Sequence, residues 1–192
     1  MHNFSSFNFK SRLIKVLLGV AVCSLVVSCQ KSASGEASSG GATESFSTNN
    51  TRATYSAFSD FNCSGGWSNR DGALGLTAGA GSGTCDLAFP GGSGKYQVTV
   101  KIQTEFDGNP IYRVSINGNT IKQGTYPTST KSVQCICDNW RKNCPDRNVN
   151  VDAGVHVIRT GDIVQFYGKE VYPCGKHGAY AKWHRITFTP VN

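Results

Sequence analysis

The stretch YQVTVKIQT at 96–104, followed by FDGNP at 106–110 and IYRVSINGNTI at 111–121, decides the fold. Tyr96, Val98, Val100 and Ile102 alternate with Gln97, Thr99, Lys101 and Gln103, and Tyr112, Val114 and Ile116 alternate with Arg113, Ser115 and Asn117. A period of two marks strands with one buried and one solvated face. Asp107-Gly108 and Asn117-Gly118 supply residues that tolerate positive φ, as two tight reversals require. The stretch therefore predicts three consecutive antiparallel strands. Such a meander is a scaffold, so function is to be sought in what it displays.

Working outward, Cys85, Leu87 and Phe89 alternate as a further strand, closed by Pro90 and the turn Gly91-Gly92-Ser93-Gly94. Strand patterns return at Val149 to Ile158 and, past Gly161-Asp162, at Ile163 to Tyr167. In the closing segment Ala179 to Pro190, Ile186 and Phe188 share a face, which Trp183 joins only if a bulge near His184 shifts the register. The 192 residues include 22 Gly, a single Met and only 16% charged residues. Many short β-patterned runs in such a composition predict one all-β domain, a sandwich or a barrel. Between the strands lie two stretches without pattern, Gln123 to Asn148 and Gly168 to Gly178. The longer is unusual in a compact domain unless it is functional or stapled.

The formal net charge is +7, and Lys10, Arg12 and Lys15 in the leader account for three of it, leaving +4. The remaining basic residues are scattered, which argues against a nucleic-acid partner. The three leader cations precede the apolar run Val16 to Val27, too short for a transmembrane helix and suited to a signal peptide. The run ends in Leu25-Val26-Val27-Ser28-Cys29. This resembles the lipobox of bacterial lipoproteins, with Val27 where a smaller residue is commoner. The resemblance implies a signal peptide over 1–28, lipidation of Cys29 and a membrane partner through that anchor alone; Gln30 after the cysteine implies the outer membrane. Ordinary secretory cleavage is the alternative. Residues 29–54 are rich in Ser, Gly, Ala and Thr, which predicts a tether, and the domain is expected over 55–192.

Apart from Cys23 and Cys29, six cysteines remain: Cys63, Cys85, Cys135, Cys137, Cys144 and Cys174. In an exported protein an even count reads as three disulfides, with fifteen connectivities. Cys63 with Cys85 is the most economical pair, and the other four would tie the two patternless loops together. A zinc site from Cys135, Cys137, Cys144, Cys174 and His177 is the competing reading, against which stand the Cys-x-Cys spacing and the oxidising compartment. Either arrangement makes the loops rigid neighbours and so a binding surface.

There is no Gly-x-Ser-x-Gly elbow, His-Glu-x-x-His pair or Walker loop. Gly79 to Gly83 lacks the Gly-Lys-Ser/Thr that a phosphate loop needs. His156 lies in a strand pattern and reads as structural. Glu105, Asp107 and Glu170 are the carboxylates from which a glycosidase pair would be drawn, although turn chemistry already accounts for Asp107.

The Tyr-x-Val-x-Val strand at 96–100, the Asp-Gly turn at 107–108, the Tyr-x-Val-x-Ile-Asn-Gly hairpin at 112–118, Gly-Asp-Ile-Val at 161–164 and Trp-x-x-Ile-x-Phe-x-Pro at 183–190 together resemble a carbohydrate-binding module of the galactose-binding-like β-sandwich group. The resemblance implies an antiparallel β-sandwich of jelly-roll, galactose-binding-like kind, non-catalytic binding of a polysaccharide or oligosaccharide on loops at one end or on a concave face, and the structural Ca²⁺ that such modules often bind. Asp107 and Asn109 are the candidate metal residues, and the chain lacks the acidic Glu-Ala-Glu opening near Tyr55. Its dense cysteines and long stapled loop also depart from the group. The residues agree on their own terms: a pyranose offers C–H faces to aromatic rings and hydroxyls to planar polar groups. Trp140 stands amid Asn139, Arg141 and Lys142, and Tyr172 near Lys176 and His177. Trp140 either stacks on a sugar or plugs a gap beneath its loop. Trp67, beside Asn69 and Arg70, is a further ligand candidate whose alternative is core packing. The expected function is polysaccharide binding at the cell surface. The alternatives are an adhesive or structural surface lipoprotein that holds a protein partner and, behind it, a small glycan-active hydrolase.

Overall fold

The computed structural model describes residues 51–105, 108–129, 146–171 and 179–192. They form two antiparallel sheets, face to face, with no helix among the described residues. The strands are β1 (Ala53–Ser56), β2 (Asn62–Ser64), β3 (Trp67–Arg70), β4 (Ala73–Leu76), β5 (Ser82–Ala88), β6 (Gly94–Gln103), β7 (Ile111–Ile116), β8 (Asn119–Thr125), β9 (Asn148–Ile158), β10 (Ile163–Lys169) and β11 (Trp183–Pro190). One sheet runs β3-β4-β11-β6-β9, with β1 also paired to β11; the other runs β2-β5-β10-β7-β8. The protein is an all-β sandwich.

The inner faces follow from the alternation. Tyr96, Val98, Val100 and Ile102 of β6 are buried and meet Val114 of β7 and Val164 and Phe166 of β10 in one core. Aromatic rings pin the two sheets together. Trp183 stacks on Phe166 and Phe61 stands edge-on to Trp183, while Phe89 contacts Tyr96 and Phe188. Such pairs add about 0.5–1.5 kcal/mol each beyond area burial. The register of β11 against β6 shifts between Trp183 and Arg185. That bulge lets Trp183 share the buried face with Ile186 and Phe188, as the residue spacing required.

The predicted meander does not form. β6 belongs to one sheet, while β7 and β8 are neighbours in the other. Alternation fixes which face is buried but not which strand is the partner. Beyond Ile102 the chain is buried at Gln103, Thr104 and Glu105 in succession, and Glu105 makes a parallel bridge to Thr128. The chain is therefore passing between the sheets where a hairpin was expected. Gly108 keeps the positive φ of a turn residue, at 67°. The other turn is as read: Asn117 and Gly118, at φ 48° and 79°, join β7 to β8 in the pattern of a type I′ hairpin.

Two further bulges and pairings complete the frame. β9 carries an extra residue opposite Val98 and Thr99, with Gly154 at φ 88°. Beyond this point the inward positions pass to His156 and Ile158, and Val155 and Val157 face out. The His156 ring pairs with the Ala153 carbonyl at 2.7 Å, so this histidine is a satisfied structural residue. The Cys63–Cys85 disulfide joins directly paired residues of β2 and β5. The first strand begins at Ala53 and pairs with β11. The leader with Cys29, and Cys135, Cys137, Cys144 and Cys174, lie outside the described residues.

Candidate functional site

β6, β8 and β10 end, and β9 and β11 begin, at one end of the sandwich, and backbone pairing there is dense. Thr104 N–H donates to the Arg147 carbonyl, Glu105 N–H to Pro127, Ser129 N–H to Glu105, and Gln103 N–H to Lys182. Val171 and Ala179 exchange both backbone hydrogen bonds. The hydroxyl of Thr104 accepts from Arg147 N–H at 2.9 Å and pairs with Ser129 Oγ at 3.1 Å; the Arg147 guanidinium donates to the Ser129 carbonyl. Ser129 and Asp146 bound the stretch 130–145, and Val171 and Ala179 bound 172–178. The stems of both cysteine-bearing stretches therefore leave the sandwich from the same end.

Beneath them lies an ionic cluster. Lys182 is only 2% exposed and Glu105 only 1%, an unusual depth for charged residues. Lys182 Nζ is 3.0 Å from Asp146 Oδ2 and 3.8 Å from Glu105 Oε2, and Lys182 N–H donates to Glu105 Oε1 at 3.0 Å. The three residues sit at the ends of β11, β9 and β6, which are adjacent in one sheet. Ala181, buried against the Gly168 backbone, takes φ 54°, a conformation costing an L-residue about 1–2 kcal/mol. That turn sets Lys182 at the entry to β11. Burial pushes the Glu105 carboxyl up to about 7 against the opposing pull of the Lys182 charge. Burial, with Glu105 nearby, also pushes the Tyr126 phenol well above its usual range. Among the described residues, Glu105 Oε2, Asp146 Oδ1 and Tyr126 Oη have no hydrogen-bond partner.

Of the residues selected from sequence, Asn139, Trp140, Arg141, Tyr172, Lys176, His177 and Asp107 lie outside the described residues. Trp67 is described and partly buried. Its indole N–H donates to the Ser64 carbonyl at 3.0 Å, and its ring stands edge-on to Phe166. Cβ atoms at Gly83 and Gly168 would come within 2.5 and 2.7 Å of that indole, so two glycines make the space it fills. Asn109 is exposed, and among the described residues no three His, Cys, Asp or Glu side chains gather as a metal cage. Glu105 and Glu170, two of the three carboxylates weighed for glycoside hydrolysis, are both buried; Glu170 Oε1 accepts from Gly81 N–H at 2.7 Å. Lys182 and Asp146 were not singled out from sequence. The one signal for Lys182 was a cation placed between buried Ala181 and Trp183.

A second feature occupies the opposite end, a shallow groove of about 250 Å³ lined by Ile116, Asn119, Ile121, His156, Val157 and Arg159. Asn117 and Asp162 line it too, and Asn117 bridges two turns there, donating to Asp162 Oδ1 and accepting from Ile163 N–H, each at 2.8 Å. Arg159 N–H also donates to Asp162, and these bonds hold its carboxyl below the usual range. Asp162 is thereby committed to the turn.

No protein-family model matches the chain, and no curated protein matches it by sequence. Solved structures do. A GH26-CBM35 β-(1,4)-mannanase from Podospora anserina is similar at 17% identity and a TM-score of 0.46, over 74% of this chain and 28% of that one. A family 35 carbohydrate-binding module from Clostridium thermocellum is similar at 13% identity and a TM-score of 0.44, over 73% of this chain and 99% of the module. The insecticidal crystal protein Cry2Aa is similar at 18% identity and a TM-score of 0.48, over 73% of this chain and 21% of that protein. The chain thus spans less than a third of the mannanase and of the crystal protein.

Proposed function

We propose that this domain binds polysaccharide without cleaving it, exposed on a bacterial surface by a lipid on Cys29 in the outer membrane. The observation that carries the reading is the convergence of the two stems, Ser129 with Asp146 and Val171 with Ala179, on one end of the sandwich. The stretches that leave from those stems hold Trp140 with Asn139 and Arg141, and Tyr172 with Lys176 and His177. Aromatic rings beside amides and cations are the groups a pyranose requires, and Arg141, Lys142 and Lys176 suit an acidic polysaccharide. A rigid floor under them lowers the ordering entropy that binding must overcome. Glu105 and Glu170 are turned to structural partners, in keeping with a non-catalytic module.

A second reading, an adhesive lipoprotein that holds a protein partner, is favoured by Val155 and Val157, which stand about half exposed on the edge strand β9. A glycan array probed with residues 51–192, run beside a reducing-end assay on neutral and acidic polysaccharides, separates the readings. Glycan retention without release of reducing ends is the outcome expected. Absence of retention on every glycan sinks the proposal, and release of reducing ends transfers the site to a hydrolase.

A further inference from the structure

We propose that Lys182 and Asp146 condense into an intramolecular amide that welds β11 to β9, with Glu105 moving the protons. Lys182 Nζ stands 3.0 Å from Asp146 Oδ2, within the reach of nucleophile and carboxyl. The three side chains project from the ends of adjacent strands, β11, β6 and β9, so the sheet itself holds them together. As an ion cluster the arrangement is poorly satisfied: Glu105 Oε2 and Asp146 Oδ1 lack hydrogen-bond partners among the described residues. Burying one ammonium between two carboxyls carries a desolvation cost that a well-bonded cluster would offset and this one does not.

The step is a redox-neutral condensation and needs no co-reactant. Glu105, whose carboxyl is raised by burial to about 7, takes a proton from the Lys182 ammonium and frees its lone pair. Glu105 hands that proton to one Asp146 oxygen, which makes the carboxyl electrophilic, and the amine attacks Cγ of Asp146, forming the N–C bond. Glu105 then takes a second proton from nitrogen and passes it to the same oxygen. The C–O bond breaks and the oxygen leaves as water. Of the three ammonium protons one stays on the amide nitrogen and two depart in the water, and Glu105 ends in the state in which it began. Fixed proximity supplies the rate, since well-oriented intramolecular reactions behave as if the partner were at a concentration of roughly 10⁵–10⁸ M. Asp146, with 17% of its side chain exposed, gives the water a way out. The product replaces the Lys182 and Asp146 charges by a neutral amide beside Glu105.

Peptide mapping of the full chain, purified folded and then reduced and alkylated, tests this. The expected result is a branched peptide in which Lys182 is joined to Asp146, lighter than its two linear parts by one water, with tryptic cleavage after Lys182 lost. In Glu105→Gln, which keeps both partners, the branched peptide should fall at least tenfold and the linear peptides reappear. Linear peptides bearing free Lys182 and Asp146 throughout the wild-type protein overturn the proposal, as does a branch from Lys182 to Glu105. A branch formed equally in Glu105→Gln overturns the role given to Glu105. These results are independent of whether the loops bind sugar.

Discussion

Trp183 lies face to face with Phe166 across the sandwich, ring centroids 4.2 Å apart and planes 15° from parallel. One ring comes from β11 and the other from β10, so the stack joins the two sheets, and both side chains are fully buried. Trp183 reaches this place only through the bulge that offsets it from Arg185.

Replacing that ring should therefore leave a cavity that neither sheet can close. Trp183→Ala is expected to lose about 3–5 kcal/mol of unfolding free energy, read from denaturant midpoints at unchanged m-value. A loss under about 1 kcal/mol would show that the inter-sheet stack contributes little.

The Cys63–Cys85 disulfide closes a loop with a sequence separation of 22. Chain entropy assigns such a loop about 3 kcal/mol. The double Ala variant is expected to unfold at correspondingly lower denaturant, and reduction of the wild type should reproduce most of that shift. Equal stability of the two proteins would mean that β2 is held by its strand pairing alone.

Glu105 makes stability depend on pH with a definite sign. Its folded-state value, about 7, lies above the ordinary 4.5 of a glutamate carboxyl, so the folded protein holds the proton more tightly. This contribution is complete below about 4.5 and is lost as pH rises through about 7, by an amount on the order of 3 kcal/mol at most. His184 acts oppositely: burial lowers its value below 6.5, so its contribution fades as pH falls through that region. The difference between wild type and Glu105→Gln isolates the first effect. Unfolding free energy measured from pH 4 to 8 should fall more steeply in the wild type, and parallel curves would contradict the assignment.

Asn117 serves as both turn residue and bridge. With φ at 48° and two hydrogen bonds to the Asp162-Ile163 turn, it joins the β7–β8 hairpin to the start of β10. Asn117→Ala should cost about 1–3 kcal/mol, and Asn117→Gly less, since glycine restores the backbone. Thermal melts of the two variants check the order, and an Asn117→Gly protein as stable as the wild type would show that the side-chain bridge carries nothing.

The strands β5, β6, β7 and β10 were legible because each alternates cleanly, and β9 because its valines alternate in sequence even though the bulge at Gly154 turns Val155 and Val157 outward. The spacing of Trp183 from Ile186 and Phe188 even gave away the bulge in β11. What alternation cannot encode is pairing, which is why β6 and β7 read as neighbours and lie in different sheets. The short β3 and β4 escaped for another reason: Ala73 to Leu76 are all buried, so no polar face remains to mark a period. β1 is four residues of mixed polarity whose strand state depends on β11. The candidate site was legible only as two loops of suitable composition. The Lys182, Asp146 and Glu105 cluster at the described stems joins residues far apart in the chain, and its existence follows from the β11-β6-β9 order, which no local pattern reveals.

Sugar binding by the stretches 130–145 and 172–178 is tested by affinity electrophoresis of residues 51–192 through gels containing acidic and neutral polysaccharides. Wild type should be retarded on at least one of them, and Trp140→Ala and Tyr172→Ala should each lose at least tenfold in affinity with an unchanged melting temperature. Equal retardation of both variants and the wild type, or no retardation in any gel, would contradict the account.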